Sequence, residues 1–239
     1  MSVSAIRRLI LIALLLAISA ALSIATPTFL SLDNIMTLLQ EASLTGIIAI
    51  GFTLVLITAG IDMSIGAVVA ITAMICINFI SYTQLPAYIY IPIALAGGCL
   101  IGWVNGFFIT YFKLPEFIVT LATLAVVRGI ALLVTQGYSI PVPADSLFTF
   151  IGRAWVVGIP MPALIGIMVL IIGHIVLNHM RFGRYVTAIG ANAEGARRSG
   201  INTKAVTMKV YIISGMAAAL AGMIITARLG SGSSNQGEG

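Results

Sequence analysis

From Met63 to Phe112 the chain runs for 50 residues without a charged side chain. As one helix this stretch would reach about 75 Å at 1.5 Å per residue, whereas the hydrocarbon core of a bilayer is roughly 30 Å thick. The stretch therefore reads as two membrane crossings, divided near Pro86, and a chain built around it has lipid as part of its solvent.

Composition agrees. Of the 239 residues 60% are apolar and 8% charged, where a soluble domain carries roughly 25% charged residues. This excludes an ordinary soluble globule and a disordered tail. The net charge of +5 is the balance of 12 basic and 7 acidic residues, and the basic ones are too few and too scattered for a nucleic-acid-tracking face. Cys76 and Cys99 lie inside apolar runs and imply neither a disulfide framework nor a metal site; they read as small apolar fillers.

Charges mark the ends of the spans. Uncharged runs predict seven helices at about 9–25, 44–60, 65–82, 87–110, 117–134, 160–177 and 210–227. The expected fold is all-α, a polytopic transmembrane bundle forming a single membrane domain over 1–239. Arg7, Arg8 and the apolar run after them resemble a signal peptide, but six further spans follow, so the segment reads as an uncleaved first helix.

With the N-terminus in the cytoplasm, Arg7, Arg8, Lys113, Arg181, Arg184, Arg197, Arg198, Lys204 and Lys209 fall inside, Arg153 and Arg228 outside, and Arg128 within a span. Nine against two is the bias expected of cytoplasmic loops, and it explains the basic balance without an anionic ligand. The chain contains no GxxxxGK[ST] phosphate loop, so it does not power itself by ATP hydrolysis.

Residues 178–209 form one large cytoplasmic loop that holds six of the 12 basic residues. Within it Gly190 to Ile201 reads as a short helix with marked ends. Asn192 suits the N-cap, Glu194 the first turn and Arg197 and Arg198 the last. Glu194 and Arg198 form an i,i+4 pair, and Gly200 suits the left-handed stop. Isolated helices need about 12–15 residues, so a partner must hold this one. Ala193, Gly195 and Ala196 permit close approach by a protein; anionic headgroups are the other reading.

This loop closely resembles the coupling segment of the ribose-type permeases, the membrane subunits of binding-protein-dependent ABC importers for monosaccharides and autoinducer-2. The resemblance is carried by Gly190, Asn192, Glu194, Ala196, Arg197, Ser199, Gly200 and Ile201. Three further blocks match in order: Gly60-Ile61-Asp62-Met63-Ser64-Ile65-Gly66, Leu114-Pro115-Glu116-Phe117-Ile118-Val119-Thr120-Leu121, and Arg128-Gly129. Branched-chain amino acid permeases are more distant relatives.

The resemblance implies two permease subunits side by side in a bacterial inner membrane, two cytoplasmic ATPases gripping their coupling helices, and a periplasmic sugar-binding protein outside. ATP and magnesium would sit on the ATPase, with no cofactor, metal or catalytic residue on this chain. It also implies roughly ten spans. Because the chain ends at Ser233 to Gly239, the expectation is a product lacking roughly three helices of about 20 residues each.

Within the spans, Asp62 is the one carboxylate bounded on both sides by long apolar runs, and Gly60 and Gly66 suggest a helix break. Asp62 reads either as a pathway group accepting hydrogen bonds from sugar hydroxyls or, with Ser64, as the cap of the third helix; its place near the cytoplasmic edge favours the cap. Pro115 and Glu116 open the fifth helix. Arg128 either snorkels to the headgroups or pairs within the bundle. Thr120 and Thr123 face a polar path or bond to their own helix, the commoner case. Gly98, Gly102 and Gly106 form a packing stripe, with Asn105 beside it to bond across an interface. His174 and His179 do not share a helical face. Segment 135–159, with Pro141, Pro143, Asp145, Arg153 and Trp155, is long enough to touch an external protein, but a connecting loop with a short interfacial helix is the favoured reading.

Three functions compete: the ABC permease subunit, an ion-coupled secondary carrier, and a non-transporting remnant. A carrier needs ionisable groups in mid-membrane, and the chain offers only Asp62 and Arg128.

Overall fold

The computed structural model describes residues 3–83, 86–142 and 147–237. Each predicted span is a helix: α1 (Val3–Ala25), α2 (Leu32–Ile57), α3 (Ile65–Tyr82), α4 (Ala87–Tyr111), α5 (Glu116–Thr135), α7 (Met161–Asn178) and α10 (Thr203–Leu229). Between α5 and α7 lies the expected short helix, α6 (Leu147–Arg153); α8 (Arg181–Ala191) and α9 (Ala193–Arg198) follow α7. Pro143 and Asp145 lie outside the described residues. Five of these helices, α2, α4, α5, α7 and α10, are long and apolar enough to cross a membrane, and the apolar stretches Leu9–Ala25 and Ile65–Ser81 are shorter. The protein is an all-α, multi-pass membrane protein.

The bounds of α2 and α10 differ from the sequence reading. α2 begins at Leu32 and ends at Ile57, so Gly60 lies beyond it. α10 begins at Thr203 rather than near 210. Its early start is explained by Asn202, whose side chain accepts the Ala205 N–H at 3.1 Å and satisfies one of the helix's free donors. The large loop at 178–209 is thereby almost wholly helical. Helices α4, α5 and α7 start on Pro86, Pro115 and Pro160, which lack the N–H that a helix start leaves without a partner.

The chain divides into two units, residues 1–41 and 42–239. The first holds α1 and the start of α2, joined by a turn in which the Asn34 side chain donates to the Phe29 carbonyl at 2.7 Å. In the second, α10 is the central element. Its most apolar stretch is 72% buried, against 28% or less for the other four long spans. Small side chains, Gly215, Ala217, Ala218, Ala219, Ala221 and Gly222, make this possible, because they let neighbouring backbones come close.

The glycine stripe of α4 meets this helix. A Cβ at Gly98 would sit 2.5 Å from the Gly215 carbonyl, one at Gly106 would sit 2.9 Å from Met208 Cα, and one at Gly102 would overlap the Tyr211 carbonyl. The outer faces remain apolar and uncovered: Leu100, Ile118, Leu133 and Ile171 are all exposed, as suits contact with lipid tails. Two short antiparallel pairings, β1 (Ile140–Pro141) with β4 (Ser231–Gly232) and β2 (Trp155–Val156) with β3 (Ile159–Pro160), tie the connections.

Candidate functional site: a helix break above the coupling segment

Helix α2 stops in a defined way. The Ala59 N–H donates to Leu56 O and the Gly60 N–H to Val55 O, each at 2.9 Å, the paired bonds of a Schellman stop. Ala59 takes the left-handed position, with φ 60°, where glycine is usual. The chain then runs unwound to Ser64 before α3 begins. Gly60 belongs to this break. Gly66 does not; it lies in the first turn of α3, against the Gly237 carbonyl.

The break is held from two sides. The Ile61 N–H donates to Glu116 Oε2 at 3.1 Å, and the Tyr211 hydroxyl donates to Ile61 O at 3.3 Å. Thr120 bonds chiefly to its own helix, to Glu116 O at 2.9 Å, and approaches Ile61 O at 3.4 Å. Glu116 thus does more than open α5.

Asp62 is buried. Its Oδ1 accepts the Ser64 N–H at 3.0 Å and the Ser64 hydroxyl at 2.6 Å, and its Oδ2 accepts the Ser214 hydroxyl of α10 at 2.8 Å. The Ser64 side chain makes no cap bond itself. Its oxygen accepts the Asn105 amide at 2.9 Å, and Asn105 Oδ1 accepts the Thr123 hydroxyl at 2.6 Å. One buried chain of hydrogen bonds, Ser214–Asp62–Ser64–Asn105–Thr123, therefore links α10, the break, α4 and α5. Every polar atom in it finds a partner, which hydrocarbon surroundings demand. Thr123 bonds across helices, contrary to the commoner case. Ser214 and Tyr211 carry no signal in the sequence: single polar residues in an apolar run declare nothing until their facing partners are known.

Arg128 bonds within the bundle, donating to Ser234 O at 2.9 Å, so it does not simply snorkel. The His174 and His179 rings come within 5.6 Å between centroids despite their spacing. Among the described residues no group of three or more His, Cys, Asp or Glu is placed to hold a metal ion.

At the same end of the bundle as the break sit α8 and α9. The capping of α9 follows the sequence. Asn192 Oδ1 accepts the Gly195 N–H at 2.8 Å. Glu194 is bridged by Arg197 at 2.8 Å and by Arg198 at 3.0 Å. The hydrogen bond from Arg197, and then that from Arg198, holds the exposed Glu194 carboxyl below its ordinary range. Gly200, φ 84°, makes a second Schellman stop: Ile201 N–H to Ala196 O and Gly200 N–H to Arg197 O, each at 3.1 Å. Ala196 and Ile201 pack in one apolar cluster with Val186, Ile189 and Val206, the contact that accompanies such a stop. Gly190 belongs to α8, not to the short helix; its Cα lies directly against the Ile57 carbonyl, where a Cβ would overlap. Between α9, the α4–α5 turn and the end of α2 lies a cavity of about 630 Å³ lined by Thr58, Lys113, Glu116, Glu194, Arg197 and Lys204, among others.

Comparison with known proteins identifies the relatives of the chain. Residues 34–239 match the family model described as the permease component of branched-chain amino acid transport systems. The ribose import permease RbsC of Haemophilus influenzae is 38% identical over 220 residues, 91% of this chain and 68% of that protein. RbsC of Escherichia coli K12 is 36% identical, covering 96% of this chain and 72% of its own, and RbsC of Bacillus subtilis is 36% identical, covering 90% and 67%. No solved structure matches the chain. The chain belongs to this family of transport permeases, and so is a multi-pass membrane component of a transporter rather than an enzyme.

Proposed function

We propose that the chain is the membrane-spanning permease subunit of a binding-protein-dependent ABC importer of the bacterial inner membrane. It passes a ribose-like monosaccharide into the cytoplasm, driven by ATP that a separate ATPase subunit hydrolyses. The N-terminus and the α8–α9 segment face the cytoplasm, and a second permease subunit and a periplasmic binding protein complete the assembly. The basic residues on α8, α9 and the start of α10 support this orientation, and the ribose import for which the three relatives are named supports the substrate class.

One observation carries the reading. A six-residue helix cannot stand alone in water, yet α9 is capped at both ends, bridged on its exposed face and anchored by buried Ala196. It is a preformed ledge, fixed on its inner face and open on its outer one. Such a ledge suits the groove of a neighbouring protein, and the contact of Gly190, in the adjoining α8, with the end of α2 gives that neighbour a purchase on the membrane core.

The test is uptake by proteoliposomes that contain the permease, its ATPase and its binding protein. Labelled ribose should accumulate only with ATP inside the compartment that holds the ATPase. Uptake driven by a proton or sodium gradient without any ATPase would overturn the proposal.

A further inference from the structure

The break and the coupling segment are separate features of the sequence, and the fold packs them together at the end of α2. Gly190 of α8 lies against the carbonyl of Ile57, the last residue of α2. Toward the α4–α5 turn the coupling segment has room: a cavity of about 630 Å³ lies between that turn and α9. A displacement of the α8–α9 segment therefore meets open space on that side and solid backbone where Gly190 abuts Ile57.

What lies beyond Ile57 is a left-handed stop at a non-glycine residue, Ala59, followed by the unwound Gly60–Ile61. Both backbone polar groups of Ile61 are held. Glu116 takes the Ile61 N–H and the Tyr211 hydroxyl reaches its carbonyl. A Cβ at Gly60 would lie 2.8 Å from Glu116 Oε2 and 3.0 Å from both the Tyr211 hydroxyl and Val55 Cγ1. Asp62 follows and bonds to Ser214, one turn along α10 from Tyr211. A push at Ile57 thus enters a short strained segment that is clamped to α5 and α10, and packed elements with two discrete arrangements pass on such shifts better than deformable ones.

We infer that Gly190, Glu116 and Tyr211 are positioning residues of the transport cycle: Gly190 delivers the movement of the coupling segment to α2, and the Glu116–Tyr211 clamp makes the α2–α3 break move together with α5 and α10. The inference rests on the ABC-importer reading above.

The experiment measures sugar taken up per ATP hydrolysed in the reconstituted complex of permease, ATPase and binding protein. Tyr211→Phe and Glu116→Ala should assemble with the ATPase and keep ATP hydrolysis within about twofold of the parent, while uptake per ATP falls about fivefold or more. Glu116→Gln keeps an acceptor for the Ile61 N–H and should recover most of the ratio. Gly190→Ala should lower the ratio further, and if it does not assemble, the two clamp variants still decide. Unchanged ratios in Tyr211→Phe and Glu116→Ala, or uptake and hydrolysis falling together, overturn the inference alone. Absence of ATP-driven uptake by the parent complex overturns the importer reading and the inference with it.

Discussion

The Asn105 amide donates to the Ser64 hydroxyl at 2.9 Å across 41 positions of sequence, and this bond joins α4 to the start of α3. Asn105→Ala removes it together with the bond from Thr123. Hydrogen bonds between membrane helices contribute about 0.6 kcal/mol on average. Thr123 can turn back to its own helix and Ser64 keeps Asp62, so the loss should be about 1 kcal/mol. Asp62→Ala strips three donors of their acceptor at once and should be clearly worse, impairing both thermal stability in detergent and uptake by the intact complex. Normal expression and transport for Asp62→Ala would remove any role for this carboxylate.

Two glycines in helical stretches should respond oppositely to alanine. At Gly102 the new Cβ would run into the Tyr211 backbone, and overpacking of this kind costs about 1–3 kcal/mol. At Gly129 nothing lies within 4 Å, so relief of glycine's flexibility should stabilise α5 by about 0.5–1 kcal/mol. Melting temperatures of the two variants should move down and up respectively.

The paired Schellman stops give a matched comparison. Gly200→Ala forces a side chain into the left-handed region, at a cost of about 1 kcal/mol. Ala59→Gly relieves that cost, partly offset by the freer unfolded chain, and should raise stability by about 0.5 kcal/mol. Under the clamp inference, Ala59→Gly should also loosen the break, so a higher melting temperature should come with lower uptake per ATP.

Glu194 has its carboxyl held below the ordinary range by Arg197 and Arg198. A depressed folded value means that the contribution is complete above the ordinary carboxylate value of about 4.3 and is lost as pH falls through the lower folded one. A spin label at Ser199 should therefore report an ordered α9 unchanged from pH 8 to pH 5, loosening only in more acidic buffer. Glu194→Gln should show the loosened spectrum at every pH.

Much of this architecture is legible in the residues alone. Uncharged runs locate the spans because lipid tolerates few charges, and the caps of α9 can be read because capping depends on residues three to five apart. The glycine stripe of α4 declares its spacing, though not that α10 is its partner. What the sequence hides is pairing across distance. Ser214 and Tyr211 sit in an apolar run like any other, and only the crossing of α10 with the break gives them acceptors. Glu116 looks complete as a helix opener, since a first-turn acid needs no further explanation. Gly190 looks like part of the short helix, because no local signal reveals that Ile57 lies against it. Boundaries failed for a related reason: α10 gains its first turns from the Asn202 cap, a polar signal inside a stretch whose basic residues suggest a loop.

The most direct measurement of the central claim is a photoreactive residue at Ser199, on the outer side of α9, in cells that express the whole importer. Irradiation should join the permease to its ATPase subunit. If Ser199 instead reacts only with membrane-impermeant reagents applied outside intact cells, and never with the ATPase, the coupling segment faces the wrong way and the account is contradicted.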